Sequence, residues 1–211
     1  MSKQQHLFDQ PLLALDMEMS GLDASRDRIV SVGIVPVTRE GIPLGRAQHW
    51  LLQTDAPVQQ SAAIHHIRDC DLSAQGVNAD ELLSQLLRTI RECVLITHGG
   101  ELDARFLDYR HRYYFGKKWR PQRLDTQYFA RRQLARRTEQ PHNSNTLNLR
   151  ACRERYHLPS WRAHHALSDA LATAELFQAQ LSDAFPKDSN PPWQHVRQSF
   201  SGLLSRWGWR Y

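Results

Sequence analysis

Two acidic side chains stand inside an apolar stretch near the start of the chain, where Asp16 and Glu18 interrupt the run Leu12–Met19. An ionised carboxylate that is buried without a partner is strongly unfavourable, so this pair should be met by hydrogen bonds, cations or a metal ion. In an extended strand, residues two apart point to the same face, which would place the two carboxylates side by side. Such a pair can form half of a cation site. On an edge strand the same two acids would simply face water.

Two further acids, Asp103 and Asp169, belong to predicted helices that could lie against the same sheet. Strand ends and helix starts gather at one rim of an α/β sheet, which is where such folds bind ligands. The sequence therefore predicts that four carboxylates meet there. A site with carboxylates and no thiolates suits Mg²⁺ or Mn²⁺. Two such ions about 4 Å apart would stabilise the attacking and leaving oxygens of a phosphodiester cleavage.

The strands that would position these acids are marked by apolar and β-branched runs. Leu12–Met19 is the first, Arg28–Val37 is the second, and a turn with glycine and proline leads to a third at Ala47–Leu52. Val94–Thr97 has the length and flanks of a buried parallel strand, and Arg123–Thr126 would add a last one. We expect an α/β fold with a central mixed sheet of three antiparallel strands followed by parallel strands, flanked by helices.

Helices are predicted where apolar residues recur at helical spacing. The predicted segments are Asn78–Glu92, a helix from about Glu101, Gln127–Arg136, Thr146–Tyr156 and Ala170–Phe185. Asp103 then lies in a first helical turn, where the helix dipole favours an anion. His164 falls at or just before the start of the last of these helices. The segments Ala56–Asp69 and Arg137–Asn145 lack this spacing, and we expect irregular structure in the first and a polar loop in the second.

The composition is that of an ordinary globular protein, with 211 residues, 41% hydrophobic and 23% charged. A formal charge of +5 suits a polyanionic partner without requiring one. Cys70, Cys93 and Cys152 are widely spaced, which indicates neither a disulfide framework nor a thiolate zinc site and favours a reducing compartment. No apolar run reaches the roughly 20 residues of a membrane span, and none resembles a signal peptide. We therefore expect a cytoplasmic protein with no membrane contact.

The chain is expected to divide into one domain over residues 1–185 and an aromatic-rich tail over residues 186–211. Apolar residues recur at helical spacing in the tail, which predicts a helix; they are Trp193, Val196, Phe200, Leu203 and Trp207. A stripe of this kind must be covered, because a soluble monomer seldom exposes a large apolar patch. The tail could fold back onto its own domain, as terminal helices often do. It could instead dock on a polymerase subunit or on a second copy of the chain.

Three motifs, in this order and spacing, resemble those of the DnaQ-like 3′-5′ exonucleases of the DEDDh type, over about Leu12–Leu181. The family's Asp-x-Glu followed by a Thr/Ser-Gly-Leu turn stands here as Asp16–Leu22. Its His-Asn-x-x-Phe-Asp stands as His98–Asp103, and its His-x-Ala-x-x-Asp-Ala as His164–Ala170. The chain is similar in this respect to the exonuclease domain of DNA polymerase III epsilon subunits.

The resemblance implies a ribonuclease H-like exonuclease fold and a metal-dependent 3′-5′ exonuclease that releases nucleoside monophosphates from the 3′ end of DNA. It implies that two Mg²⁺ or Mn²⁺ ions are held by Asp16, Glu18, Asp103 and Asp169. It also implies that His164 is the general base that deprotonates the attacking water, which agrees with the suitability of histidine near neutral pH. The neighbouring His165 fills a variable position and is expected to be structural. The residues expected on the substrate side are Met17, Met19, Ser20, Gly21 and His65.

The chain departs from the family pattern in places that concern the substrate. Gly99 stands for the usual Asn and Leu102 for the usual Phe, whereas Met17 and Met19 replace the threonines common in proofreading subunits. The first motif is more similar to that of the oligoribonucleases, and the third to that of polymerase-associated exonucleases. A nucleic acid with a free 3′ end is the expected partner, DNA being favoured and RNA or short oligoribonucleotides being the alternative. A catalytically silent nucleic-acid-binding module is the other class, but such a module has no need of a general base.

Overall fold

The computed structural model describes residues 4–55, 57–58, 61–137 and 146–201. Its centre is a five-stranded sheet with the order β3-β2-β1-β4-β5. The strands are β1 (Leu12–Met19), β2 (Ile29–Val37), β3 (Gln48–Leu51), β4 (Val94–Thr97) and β5 (Arg123–Asp125). The first three are antiparallel neighbours, β4 runs parallel to β1, and β5 runs parallel to β4. The predicted mixed sheet is confirmed.

Helices cover both faces of this sheet. They are α1 (Ala62–His65), α2 (Asp69–Gln75), α3 (Ala79–Ile90), α4 (Glu101–Phe115), α5 (Thr126–Arg137), α6 (Leu149–Glu154), α7 (Ala166–Ala184) and α8 (Trp193–Phe200). The buried residues of α3 and α4 share one core cluster with the sheet, whereas those of α7 and α8 share another on the opposite face. None of the helices in the described ranges has the length and hydropathy needed to cross a membrane.

The alternation of β1 decides which side chains face which helices. Leu13, Leu15 and Met17 pack in the cluster with α3 and α4. Leu12 and Ala14 pack in the cluster with α7. Since side chains two apart share a face, Asp16 and Glu18 continue the row that begins with Leu12 and Ala14, on the face covered by α7.

Several boundaries differ from those predicted. The segment expected to be irregular contains α1, which ends at the left-handed residue His66 (φ 58°), followed by α2. The helices have only four and seven residues, which is too short for an apolar periodicity to be visible in the sequence. Helix α7 begins at Ala166, four residues earlier than predicted. His165 is its N-cap, and the His165 side chain accepts a hydrogen bond from the Ser168 amide. The predicted polar loop lies outside the described residues except for Arg137, where α5 ends.

Residues 186–201 pack against the rest of the described chain. Val196 and Phe200 of α8 are fully buried, and the Phe200 ring stacks on Phe129 with centroids 4.4 Å apart and meets Phe177 edge-on at 5.1 Å. The tail also pairs with the N-terminal segment, where the Trp193 amide donates to the Gln5 carbonyl. Leu203, Trp207 and Trp209 lie outside the described residues. The boundary at 185/186 stays a prediction.

Candidate active site

The first turns of α7 come unusually close to the sheet at Gly33 of β2. A Cβ atom at Gly33 would lie only 2.4 Å from the backbone carbonyl of Ala166. Gly33 pairs with Asp16 on the neighbouring strand, so the close approach brings α7 over the acidic end of β1. Asp169, in the first turn of the helix, therefore faces β1. Carboxylate oxygens of Asp16, Glu18 and Asp169 lie within 4.8 Å of one another.

The fourth predicted acid, Asp103, lies in the first turn of α4, as the sequence indicated. Its Oδ1 atom is buried and has no hydrogen-bond partner among the described residues. Burial raises the pKa of Asp103 to about 6, against the opposing effect of the Arg123 guanidinium. Asp103 is not part of the compact group of three, but its charge raises the pKa values of both Asp16 and Glu18.

The electrostatics of this site oppose full ionisation. Burial raises the pKa of Asp16 well above its usual range, and the charges of Asp103, Asp169 and Glu18 raise it further. Burial also raises the pKa of Glu18 to about 7, with Asp169 and Asp103 adding to the effect. Clustered carboxylates must bind protons or a cation when like charges share a buried site. This all-oxygen donor set, with one buried oxygen left unpaired, fits hard divalent cations such as Mg²⁺ and Mn²⁺.

The two adjacent histidines at the start of α7 occupy different environments. His164 has an exposed side chain and a left-handed backbone (φ 61°), and its amide donates to Asp169 Oδ2 at 2.8 Å. His165 is partly buried, receives the Ser168 amide on its ring at 3.4 Å and lies 4.5 Å from the His49 ring, between centroids. The His165 ring is thus engaged in the fold, whereas the His164 ring is open to solvent beside a candidate metal ligand.

Of the residues of the first motif that are expected to contact substrate, two methionines pack in the core and the other two residues lie in a turn. The Met17 side chain is 5% exposed and belongs to the core on the far face of the sheet, so only its backbone can reach the site. Met19 packs against the same cluster, beside an irregularity in the pairing with β2. Ser20 and Gly21 form a turn organised by Asp27: the Ser20 hydroxyl donates to this carboxylate, and a Cβ on Gly21 would lie 2.4 Å from it. Their roles in substrate binding stay predictions.

His65 is 5% exposed, and both of its ring nitrogens are used within the protein. Nε2 lies 3.1 Å from the Ser61 hydroxyl, and Nδ1 accepts the Ile67 amide at 3.1 Å. Burial lowers the pKa of His65, and the neighbouring His66 and His164 lower it further. Substrate contact through the His65 ring would require these hydrogen bonds to break, so its role in substrate binding stays a prediction.

The sequence analysis did not identify Trp161, which contacts one of the acids of the site. The Trp161 indole nitrogen donates a hydrogen bond to Asp169 Oδ1. Trp161 lies in a segment between two helices that shows no periodicity, so the sequence offered only a generic aromatic residue there. A tryptophan a few residues before a motif acid is not itself a motif.

Comparisons with known proteins agree with the family that the motifs predicted. The sequence model of the exonuclease family RNase_T matches residues 13–177. The chain is 26% identical over 170 residues to the PolC-type DNA polymerase III of Thermotoga maritima, covering 80% of this chain and 12% of that protein. It is 23% identical over 182 residues to the DNA polymerase III epsilon subunit of Aquifex aeolicus, covering 86% of each. The chain therefore spans only a small part of the PolC-type relative.

Among solved structures, the chain is similar to E. coli exonuclease I in complex with a dT13 oligonucleotide, with a TM-score of 0.69 at 17% identity. The match covers 84% of this chain and 42% of that protein. At this level of identity the likeness shows a shared fold, which is the ribonuclease H-like fold expected from the motifs.

Proposed function

The chain belongs to the RNase_T exonuclease family, as its DnaQ-like motifs predicted, and we propose that it is a metal-dependent 3′-5′ exonuclease acting on DNA. The observation that carries the proposal is the meeting of Asp16, Glu18 and Asp169 within 4.8 Å, beside the unpaired buried oxygen of Asp103. A structural role does not account for such a cluster, because like charges in a buried site destabilise the fold.

In this proposal the four acids hold two divalent cations. Once bound, the cations would supply electrostatic stabilisation of the attacking and leaving oxygens of the scissile phosphodiester. His164 takes the proton of the attacking water, and its exposed ring is free to do so. The amide of the same residue is hydrogen-bonded to Asp169, so the base and the metal ligand are held as one unit.

DNA is the favoured substrate because the two relatives are a DNA polymerase III of the PolC type and a DNA polymerase III epsilon subunit, and because one structural neighbour holds a dT13 oligonucleotide. The released product would be a nucleoside monophosphate. RNA is the second candidate, favoured by the similarity of Asp16–Asp23 to the opening of oligoribonucleases. Partnership with a polymerase subunit or with a second copy through residues 186–211 stays a prediction. In α8, Val196 and Phe200 are already buried within this chain.

The test uses single-stranded and duplex DNA and RNA labelled at the 5′ end, with EDTA or Mn²⁺, and resolves products by length. A ladder that shortens one nucleotide at a time from the 3′ end, only with Mn²⁺ and only with the unmodified protein, supports the proposal. Asp16→Ala prepared in parallel is the control for a contaminating nuclease. Metal-dependent binding of the oligomers without any cleavage would instead indicate the silent binding module. Faster turnover of RNA than of DNA at equal length would shift the substrate assignment.

A further inference from the structure

Asp169 is held by donors on both of its carboxylate oxygens. The Trp161 indole N–H donates to Oδ1, whereas Oδ2 accepts the amides of His164 at 2.8 Å and His165 at 3.3 Å. Each carboxylate oxygen has two lone pairs, so these three bonds fill both positions on Oδ2 and leave one on Oδ1 open for a cation. They do fix the plane of the carboxylate. The two backbone amides come with the start of α7, whereas the indole donor comes from a side chain outside the helix.

The Trp161 ring is itself held in place by a buried guanidinium. Arg153 of α6 is 2% exposed, and its guanidinium carbon lies 5.0 Å from the centroid of the Trp161 ring. Its terminal nitrogens donate to the Ala172 carbonyl at 2.6 Å and the Pro159 carbonyl at 2.9 Å, and form an ion pair with Glu175 at 2.7 Å. Arg153 thus ties α6, the segment that carries Trp161, and α7 together behind the site.

We propose that Trp161 is a positioning residue for the metal ligand Asp169, and that Arg153 acts through Trp161. This inference rests on the proposed function. Hydrogen-bond partners of ligating carboxylates orient the ligand, and their loss typically weakens metal affinity 10- to 100-fold. An indole N–H suits this task because it is a donor only and does not titrate. It therefore holds Asp169 in one orientation without competing with His164 for a proton.

The decisive variant is Trp161→Phe, which keeps an aromatic ring over Arg153 and removes the N–H. Mn²⁺ binding to the metal-stripped protein is measured by calorimetry, and the Mn²⁺ concentration for half-maximal turnover is measured separately. We expect both to weaken by about 10- to 100-fold, with the unfolding midpoint in EDTA close to that of the unmodified protein. Trp119→Phe is the matched control, because the Trp119 ring stacks on His111 and packs in the cluster with α3 and α4, on the face of the sheet opposite α7. It should leave Mn²⁺ affinity unchanged.

A second variant, Arg153→Lys, keeps the positive charge for Glu175 but removes the flat surface under the indole. We expect weaker Mn²⁺ binding in the same direction as Trp161→Phe, and no further loss when the two substitutions are combined. Mn²⁺ affinity of Trp161→Phe equal to that of the unmodified protein would overturn the positioning role, whatever the substrate. Weakened Mn²⁺ binding in a protein that cleaves no nucleic acid would keep the positioning role and overturn the proposed function.

Discussion

Replacing Glu18 with glutamine should make the stability of the metal-free protein less sensitive to pH. Burial, with added repulsion from Asp169 and Asp103, raises the pKa of Glu18 from 4.5 to about 7. The folded state therefore binds this proton more tightly than the unfolded state, so the stabilisation is complete below pH 4.5 and is lost as pH rises through about 7. At about 1.4 kcal/mol per pKa unit the loss is at most about 3 kcal/mol. Screening of this partly exposed carboxylate lowers the expected loss to about 1 to 2 kcal/mol.

The assay is denaturant unfolding in EDTA at pH 5 and pH 8, for the unmodified protein and for Glu18→Gln. Between these pH values the unmodified protein should lose about 1 to 2 kcal/mol more than the variant, because the glutamine amide does not titrate. Glu40→Gln is the control, since Glu40 is an exposed glutamate in the turn after β2 and should follow the unmodified protein. Saturating Mn²⁺ should raise the stability of the unmodified protein at pH 8. An equal pH dependence in Glu18→Gln and the unmodified protein would refute the reasoning that this acid is strained in the fold.

Three other predictions concern the site and the core. Asp16→Ala and Asp169→Ala should abolish cleavage even at saturating Mn²⁺, and Asp16→Ala should unfold in EDTA at the same or higher denaturant concentration because repulsion among the acids is relieved. Retained wild-type rates in either variant would remove that residue from the metal site. His164→Ala should lower turnover by about 100- to 10,000-fold and leave Mn²⁺ affinity, measured by calorimetry, largely unchanged. A normal rate in His164→Ala with a collapse in His165→Ala would transfer the role of base to the neighbour. Phe200→Ala should destabilise the protein by about 3 to 5 kcal/mol in denaturant unfolding, because it opens a cavity in the core, and a change below about 1 kcal/mol would show that α8 contributes little.

The acids of β1 could be predicted because strand geometry is strictly periodic. The alternation that buries Leu13 and Leu15 on one face leaves no choice for Asp16 and Glu18, which must share the other. The mixed character of the sheet was predicted in a similar way, since the short apolar run Val94–Thr97 after a helix has the composition of a buried parallel strand. In both cases a local pattern in the sequence determines the structure directly.

The contacts that hold Asp169 in place could not be predicted, because they depend on the path of the segment between α6 and α7, which shows no periodicity in the sequence. The contact of Trp161 with Asp169 follows from where Arg153 anchors the chain between α6 and α7, and a buried arginine cannot be distinguished from a surface arginine in the sequence. Gly33 is a similar case. A glycine inside a strand indicates that another group approaches the strand backbone closely. Only the packed structure shows that this group is the backbone of Ala166.

The close seating of α7 on Gly33 also ties the site to the order of events in folding. Asp16 and Asp169 are about 150 residues apart in the chain, and they meet only when α7 docks against β1 and β2. A nascent chain whose ribosome has not yet reached α7 carries the acids of β1 but no assembled site. In refolding, nuclease activity should therefore return with the step that docks α7 on the sheet. An exonuclease domain is in this way kept inert until α7 has been synthesised and has docked on the sheet.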